Sequence, residues 1–231
     1  MLARPRRIFE FKPPVSPAFR WGSWAAVGLA VLLIAAFIEL SEQLPTAKAG
    51  SLRLLSVDAS VLRFVARFRH PWLNGLAMDL TALGSPIVVG LFTFAFGALL
   101  IIAADRQGAI ALVASSLTSA LLTFIMKSLL ERPRPDVVPR LVAVSGLSYP
   151  SGHSLASAAV YLTAAFVIAR HMTSVGQRVA AVAFSAIVVF LIGASRVYLG
   201  VHFPTDVFGG ILLGTAWALL MAALVRRLDH A

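Results

Sequence analysis

A chain of 231 residues that is 59% hydrophobic and 13% charged lacks the composition of a soluble domain, in which about a quarter of residues are charged, so it belongs to the membrane class. The absence of cysteine excludes disulfides, thiolate-ligated zinc and thiol catalysis. A formal charge of +10 would suit nucleic acid if the basic residues shared one soluble face, but they stand in short clusters between apolar segments, as membrane topology and anionic headgroups require.

The chain opens on a basic segment within residues 1–21, with Arg4, Arg6, Arg7, Lys12 and Arg20. It runs into apolar residues without a small-residue cleavage site, so it reads as the flank of a retained first span. Six segments approach the ~20 apolar residues that a spanning helix needs: 24–40, 86–104, 108–126, 154–169, 179–194 and 209–225. Small residues recur in the later ones, among them Ala156, Ser157, Gly210 and Gly214, and allow helices to approach closely in lipid. The expected fold class is therefore all-α: a polytopic membrane protein forming one six-transmembrane-helix bundle over residues 1–231.

The connection 41–85, between the first two spans, holds a further element. From residue 52 to 68, Leu54, Leu55, Val61, Leu62, Val65 and Phe68 recur at helical spacing, and Arg53, Ser56, Ser60, Arg63 and Arg67 share the other face. This predicts an interfacial amphipathic helix, with the alternative that it packs on the bundle and keeps its basic face solvated. Trp72, beside Pro71, suits an interfacial anchor.

Six spans put both termini on one side of the membrane, and the connection 41–85 on the other with the loops after Lys127 and Ser195. Lys and Arg are split ten and ten between the two sides, so their total does not orient the bundle. The five charges ahead of the first span break the tie. The expectation is a bacterial inner (plasma) membrane protein with cytoplasmic termini and its polar loops facing the periplasm.

Three polar clusters emerge on that loop face. The first runs Lys127-Ser-Leu-Leu-Glu-Arg132-Pro-Arg134-Pro135; the second is Pro150-Ser151-Gly152-His153; the third holds Ser195, Arg196, His202 and Asp206. Several cations with two imidazoles and one carboxylate suit an anionic phosphoryl group, whose oxygens match Arg and Lys donors. Two histidines and an aspartate also raise a metal site, but no close HxxxH or HExxH pair supports one and the neighbouring cations oppose Zn²⁺.

In order and spacing, the clusters match K-x6-R-P, P-S-G-H and S-R-x5-H-x3-D. The chain thus resembles the type 2 phosphatidic acid phosphatase superfamily, which includes lipid phosphate phosphatases and, more distantly, vanadium-dependent haloperoxidases. The motifs span residues 127–206, the expected active-site core. The resemblance implies that His202 attacks phosphorus, that Asp206 orients it, and that His153 protonates the leaving oxygen. It places Lys127, Arg134 and Arg196 on the phosphate, with the amides of Ser151 and Gly152 at a helix start. A carboxylate that fixes the imidazole tautomer, and cations that offset phosphate charge, are what such chemistry needs. No metal or other cofactor is expected, and no obligatory protein partner.

Taken singly, each residue has a plainer role: Lys127 and Arg196 as snorkelling charges, His153 as an interfacial group, Asp206 as a helix cap. Arg132, outside the strict spacing, is either an auxiliary contact or an interfacial charge. His70, His171 and His230 receive no role. The expected function is metal-independent hydrolysis of a lipid phosphomonoester or pyrophosphate through a phosphohistidine. Undecaprenyl pyrophosphate is favoured from the resemblance, followed by phospholipid phosphates such as phosphatidylglycerophosphate. The alternatives are phosphoryl transfer between lipids, as with a lipid A substrate, and a noncatalytic lipid-binding or transport protein on the same fold.

Overall fold

A computed structural model describes residues 18–44 and 52–228, helical except for the connections, of which 131–151 is the longest. The basic residues Arg4 to Lys12 lie outside the described residues. Eight helices follow in order among those described: α1 Ala18–Gln43, α2 Leu52–Ala66, α3 Pro71–Ala82, α4 Pro86–Ile102, α5 Arg106–Leu130, α6 Gly152–Ala169, α7 Val175–Tyr198 and α8 Pro204–Leu228.

Local sequence sets the boundaries. Pro71, Pro86 and Pro204 each stand at the first position of a helix, where the missing N–H costs nothing. The Ser85 and Asp105 side chains cap α4 and α5 by accepting from Val88 N and Gly108 N, and Ser174 with Gln177 forms a capping box at α7. Glu131, in the left-handed region at φ 46°, ends α5 just before Arg132-Pro133.

Five of these helices, α1, α5, α6, α7 and α8, are long and apolar enough to cross a membrane. The sixth crossing differs from the sequence expectation of one span over 86–104. α4 has 17 residues, about 25 Å at 1.5 Å per residue, which is short of a ~30 Å hydrocarbon core. α3 extends it through a break at 83–85 with a bend of 49°, and the two together are long and apolar enough for the second crossing. The all-helical membrane bundle with α2 between its first two crossings otherwise agrees with the reading of the sequence.

α6 is the hub, packing against α5, α7 and α8, while α1 lies on α8. The α6–α8 seam is close because a Cβ on Gly210 would stand 2.7 Å from the Ser151 carbonyl oxygen and one on Gly214 2.4 Å from that of Leu155. Phe37, Tyr149, Leu155, Leu212 and Leu213 form a core cluster between α1, α6 and α8. Tyr149 stacks on Phe37 with ring centroids 5.6 Å apart, and its hydroxyl is 3.0 Å from Ser41 Oγ. Ile87, Phe94, Leu117, Phe124 and Phe184 are exposed, an outer surface suited to lipid rather than water.

α2 is amphipathic and packs on α7 and α8. Leu62 joins a core cluster with Val138 and Phe203, whereas Arg63 and Arg67 are exposed, so α2 lies against the bundle with its basic face outward, as its amphipathic pattern predicts. Val61 and Phe68, expected on the apolar face, are exposed too. At the opposite end of the bundle, Asp105 holds Arg170 and lies 2.9 Å from His171 Nε2. Burial alone would raise the Asp105 carboxyl, but His171, Arg170 and the Gly108 N–H reverse this and hold it down at about 2.

The seam predicts its own weak point. Gly214→Ala should lower stability by about 1–3 kcal/mol, the usual cost of overpacking a close contact. Thermal unfolding in detergent reads it, and an unchanged Tm would show that the seam relaxes freely.

Candidate active site

The three sequence clusters meet at one end of the bundle. Lys127 stands in the last turn of α5, His153 in the first turn of α6, Arg196 in the last turn of α7, and Asp206 in the first turn of α8. Arg134 lies in the α5–α6 connection and His202 in the α7–α8 connection. The charges of Arg196, His202, Arg134 and Lys127 all act on His153, and Arg134, Asp206 and Arg196 act on Lys127. All six side chains therefore share one locality.

His202 is 2% exposed and Asp206 is fully buried. His202 Nδ1 lies 3.4 Å from Asp206 Oδ2 and 3.3 Å from Ser148 Oγ. Ser148 donates to Asp206 Oδ2, which leaves its lone pairs to accept from Nδ1. On the other edge of the ring, Arg134 Nη1 is 3.3 Å from Nε2. A guanidinium can only donate, so Nε2 is the acceptor and Nδ1 carries the proton. The ring is thus held from both sides in the tautomer that leaves a lone pair on Nε2. Pro204 starts α8 between His202 and Asp206, and Phe203 N donates to Asp206 Oδ2 at 2.8 Å. That turn brings the carboxylate back to the imidazole.

The cations are held mainly by main-chain carbonyls. Arg134 donates to Gly146 O at 3.0 Å, Val201 O at 2.9 Å and Ser145 O at 3.1 Å, and Lys127 donates to Leu147 O. Neither is tied to a carboxylate among the described residues, so both keep net positive charge for an anion. Arg196 donates to Thr81 Oγ1 of α3 at 2.9 Å, and its buried Nε has no protein partner. The break between α3 and α4 also closes over the site: a Cβ on Gly84 would be 3.2 Å from His153 Cβ.

Ser151 and Gly152 sit where the sequence placed them, at the start of α6, but only one of their two amides is available. Ser151 N donates to the Asp206 carbonyl oxygen at 2.9 Å, which joins the starts of α6 and α8. Gly152 N, followed by those of His153 and Ser154, has no helical carbonyl behind it and remains for an anion.

Several participants lay outside the motif reading. Arg132 is 1% exposed and bridges two carboxylates, Asp206 Oδ1 at 2.5 Å and Asp58 Oδ2 at 2.7 Å. It is neither interfacial nor on the phosphate side, and Phe203 covers it at 4.3 Å. Asp58, on α2, also accepts from Thr205 N at 3.1 Å and Thr205 Oγ1 at 2.5 Å. A charge at 58 within the stripe Leu54, Leu55, Leu62 was the available signal; Ser148 had none beyond its place beside Tyr149-Pro150. Among the described residues, no three of His, Asp and Glu gather as they would to hold a metal. Nearby, an apolar cavity of about 540 Å³ lies between α2, α3, α7 and α8, lined by Leu76, Phe190, Ser195 and Val207 among others.

This arrangement agrees with what the chain is similar to. The PAP2 superfamily model matches residues 108–229. The chain belongs to that superfamily. It is 36% identical to phosphatidylglycerophosphatase B of Bacillus subtilis over 177 residues, 76% of this chain and 84% of the relative. It is also 33% identical to lipid A 1-phosphatase of Rhizobium johnstonii over 46% of this chain and 43% of the relative. The crystal structure of a transmembrane PAP2-type phosphatidylglycerolphosphate phosphatase from Bacillus subtilis superposes with a TM-score of 0.75 at 31% identity, covering 87% of this chain and 96% of that one. The structure of Aquifex aeolicus LpxE gives 0.54 at 26% identity, over 73% and 93% respectively. The protein is an integral membrane phosphatase of the PAP2 superfamily.

Electrostatics give a further test. Burial pushes His202 down to about 4 despite the opposing pull of Asp206, with Arg196 and Arg134 adding to the depression. The imidazole then stays neutral, with its Nε2 lone pair free, from high pH down to about 4, where an ordinary histidine protonates near 6.5. Arg134→Ala removes a repelling cation and should move the midpoint upward. Titration of ¹⁵N-histidine signals in micelles measures both values; a wild-type midpoint at 6.5 would contradict the burial argument.

Proposed function

We propose that this PAP2 enzyme hydrolyses the phosphomonoester or pyrophosphate of a membrane lipid through a phosphohistidine on His202, without a metal ion. The observation that carries the reading is an imidazole held by Asp206 and Ser148 on one edge and facing Arg134 on the other, within reach of three cations and a second histidine.

The lipid phosphate enters among Lys127, Arg134, Arg196 and the Gly152 amide, which offset its charge and favour the equatorial oxygens of the transition state. As it binds, the Arg134 N–H turns from Nε2 to a phosphate oxygen. His202 Nε2 then forms a bond to phosphorus while the bond from phosphorus to the lipid oxygen breaks, and His153 gives its proton to that oxygen. Asp206 accepts from Nδ1–H and stabilises the positive ring. Water next attacks phosphorus, returns a proton to His153 and releases Nε2. The apolar cavity beside Ser195 and Pro204 suits the lipid chain.

Phosphatidylglycerophosphate heads the substrates to be tested, because the relative of that name matches most of both chains. Undecaprenyl pyrophosphate, favoured by the sequence resemblance, follows. Purified protein should release phosphate from at least one of these in EDTA, and His202→Ala should lose at least 10³-fold in kcat. Labelled substrate should leave an acid-labile phosphohistidine in the wild type. Activity that survives His202→Ala, or that vanishes in EDTA and returns with Mg²⁺, would refute the mechanism.

The site end faces the periplasm in this reading, from the basic segment ahead of α1. In this cysteine-free chain, Ala143→Cys at the site end and Thr173→Cys at the other are both exposed positions. An impermeant maleimide added to whole cells with a permeabilised outer membrane should label the first and spare the second; the reverse pattern would invert the orientation.

A further inference from the structure

Two buried charges, Asp58 and Arg132, lie behind the His202–Asp206 pair. Asp58 and Arg132 are each 1% exposed and Asp206 is 0%. One guanidinium faces two carboxylates, Nη1 to Asp206 Oδ1 and Nη2 to Asp58 Oδ2, so the group carries a net charge of −1. Burying a second carboxylate is costly unless it is compensated, and Arg132 with Asp206 alone would already be neutral. The extra carboxylate therefore calls for an explanation beyond pairing.

Such a neutral pair is poorly suited to orienting a nucleophile. A cation 2.5 Å from Oδ1 withdraws the charge that Oδ2 presents to Nδ1–H, and with both groups buried that effect is screened less than at the surface. We propose that Asp58 is a positioning residue for the reaction: by taking the outer edge of Arg132, it leaves Asp206 enough negative charge to stabilise the His202 imidazolium. The inference rests on the reading of His202 as nucleophile. Its second element is geometric. Asp58 accepts both the N–H and the hydroxyl of Thr205, the residue before Asp206, so α2 fixes the first turn of α8 as well as its charge.

The groups that act on His202 are Asp206 of α8, Arg196 of α7, His153 of α6 and Arg134 of the α5–α6 connection; Lys127 of α5 acts on Asp206's side of the site. None of these is altered in the two variants that test the idea. Asp58→Asn keeps a carbonyl for Arg132 Nη2 and the Thr205 hydroxyl, gives up the bond from Thr205 N, and removes the outer charge, so Arg132 falls wholly on Asp206. The His202 midpoint should move down from its wild-type value, and kcat should fall about 10- to 100-fold with KM within about twofold, the pattern of an interaction made in the transition state. Asp58→Asn with Arg132→Gln removes one charge of each sign and returns the whole −1 to Asp206. The midpoint should then move up, above wild type.

A purely structural role for Asp58 predicts a lower Tm without these opposite shifts. Imidazole titration by ¹⁵N-histidine NMR in micelles, with steady-state kinetics on the lipid phosphate, reads both. Should the double variant, which leaves the buried Asp206 without its guanidinium, not fold, the single variant, in which Arg132 and Asp206 form a neutral pair, still decides by the direction of its shift. Midpoints that coincide with wild type, or move the same way in both variants, overturn the inference. His202→Ala runs alongside. Activity surviving that change removes the nucleophile reading itself, whereas an inactive His202→Ala beside a fully active Asp58→Asn removes only the role of Asp58.

Discussion

The buried carboxylate of Asp206 is the constraint to which the rest of this end of the molecule answers. An ionised carboxylate with no exposure must be matched by donors or become protonated, and here Arg132, Ser148 and the Phe203 amide supply them. Each donor arrives from a different stretch of chain: the end of α5, the approach to α6 and the turn into α8. Satisfying one oxygen pair thus folds both ends of the α5–α6 connection onto the α7–α8 connection, and the imidazole of His202 takes its orientation from the result.

The lipid phase makes this affordable. Outward side chains along α4, α5 and α7 are apolar and exposed, so the bundle needs no polar shell over most of its surface. Polar groups gather instead at two ends. One end has the cations and imidazoles of the site; the other has Asp105 with Arg170 and His171, a closed group that fastens the loop between α4 and α5 to the end of α6. Between them, the small residues of α8 let it sit against α6, and the relative placement of His153 and Asp206 follows from that contact.

Much of this was legible in the residues. Spacing within the three clusters identified the family and the convergence of Lys127, Arg134, His153, Arg196, His202 and Asp206, because a multi-part motif records side chains that must meet. Arg132 was ambiguous since Arg132-Pro133 and Arg134-Pro135 look alike locally. What separates them is the partner each reaches, two carboxylates for one and main-chain oxygens for the other, and that depends on α2, which no local pattern docks onto α8. The short helix α3 was lost inside the 41–85 connection because its 12 residues are too few for a spanning signal. The run Leu83-Gly84-Ser85-Pro86 marks a helix boundary without saying that both sides belong to one crossing.

The hydrogen bond from Ser151 N to the carbonyl of Asp206 ties the P-S-G-H segment to the one that follows His202 through main-chain atoms alone. No side-chain replacement other than proline at 151 deletes either partner. Exchange of the imidazoles at 153 or 202 for smaller groups therefore leaves this joint standing, and the two strips of chain keep their mutual address. Silent proteins made that way would report missing chemistry rather than a collapsed scaffold.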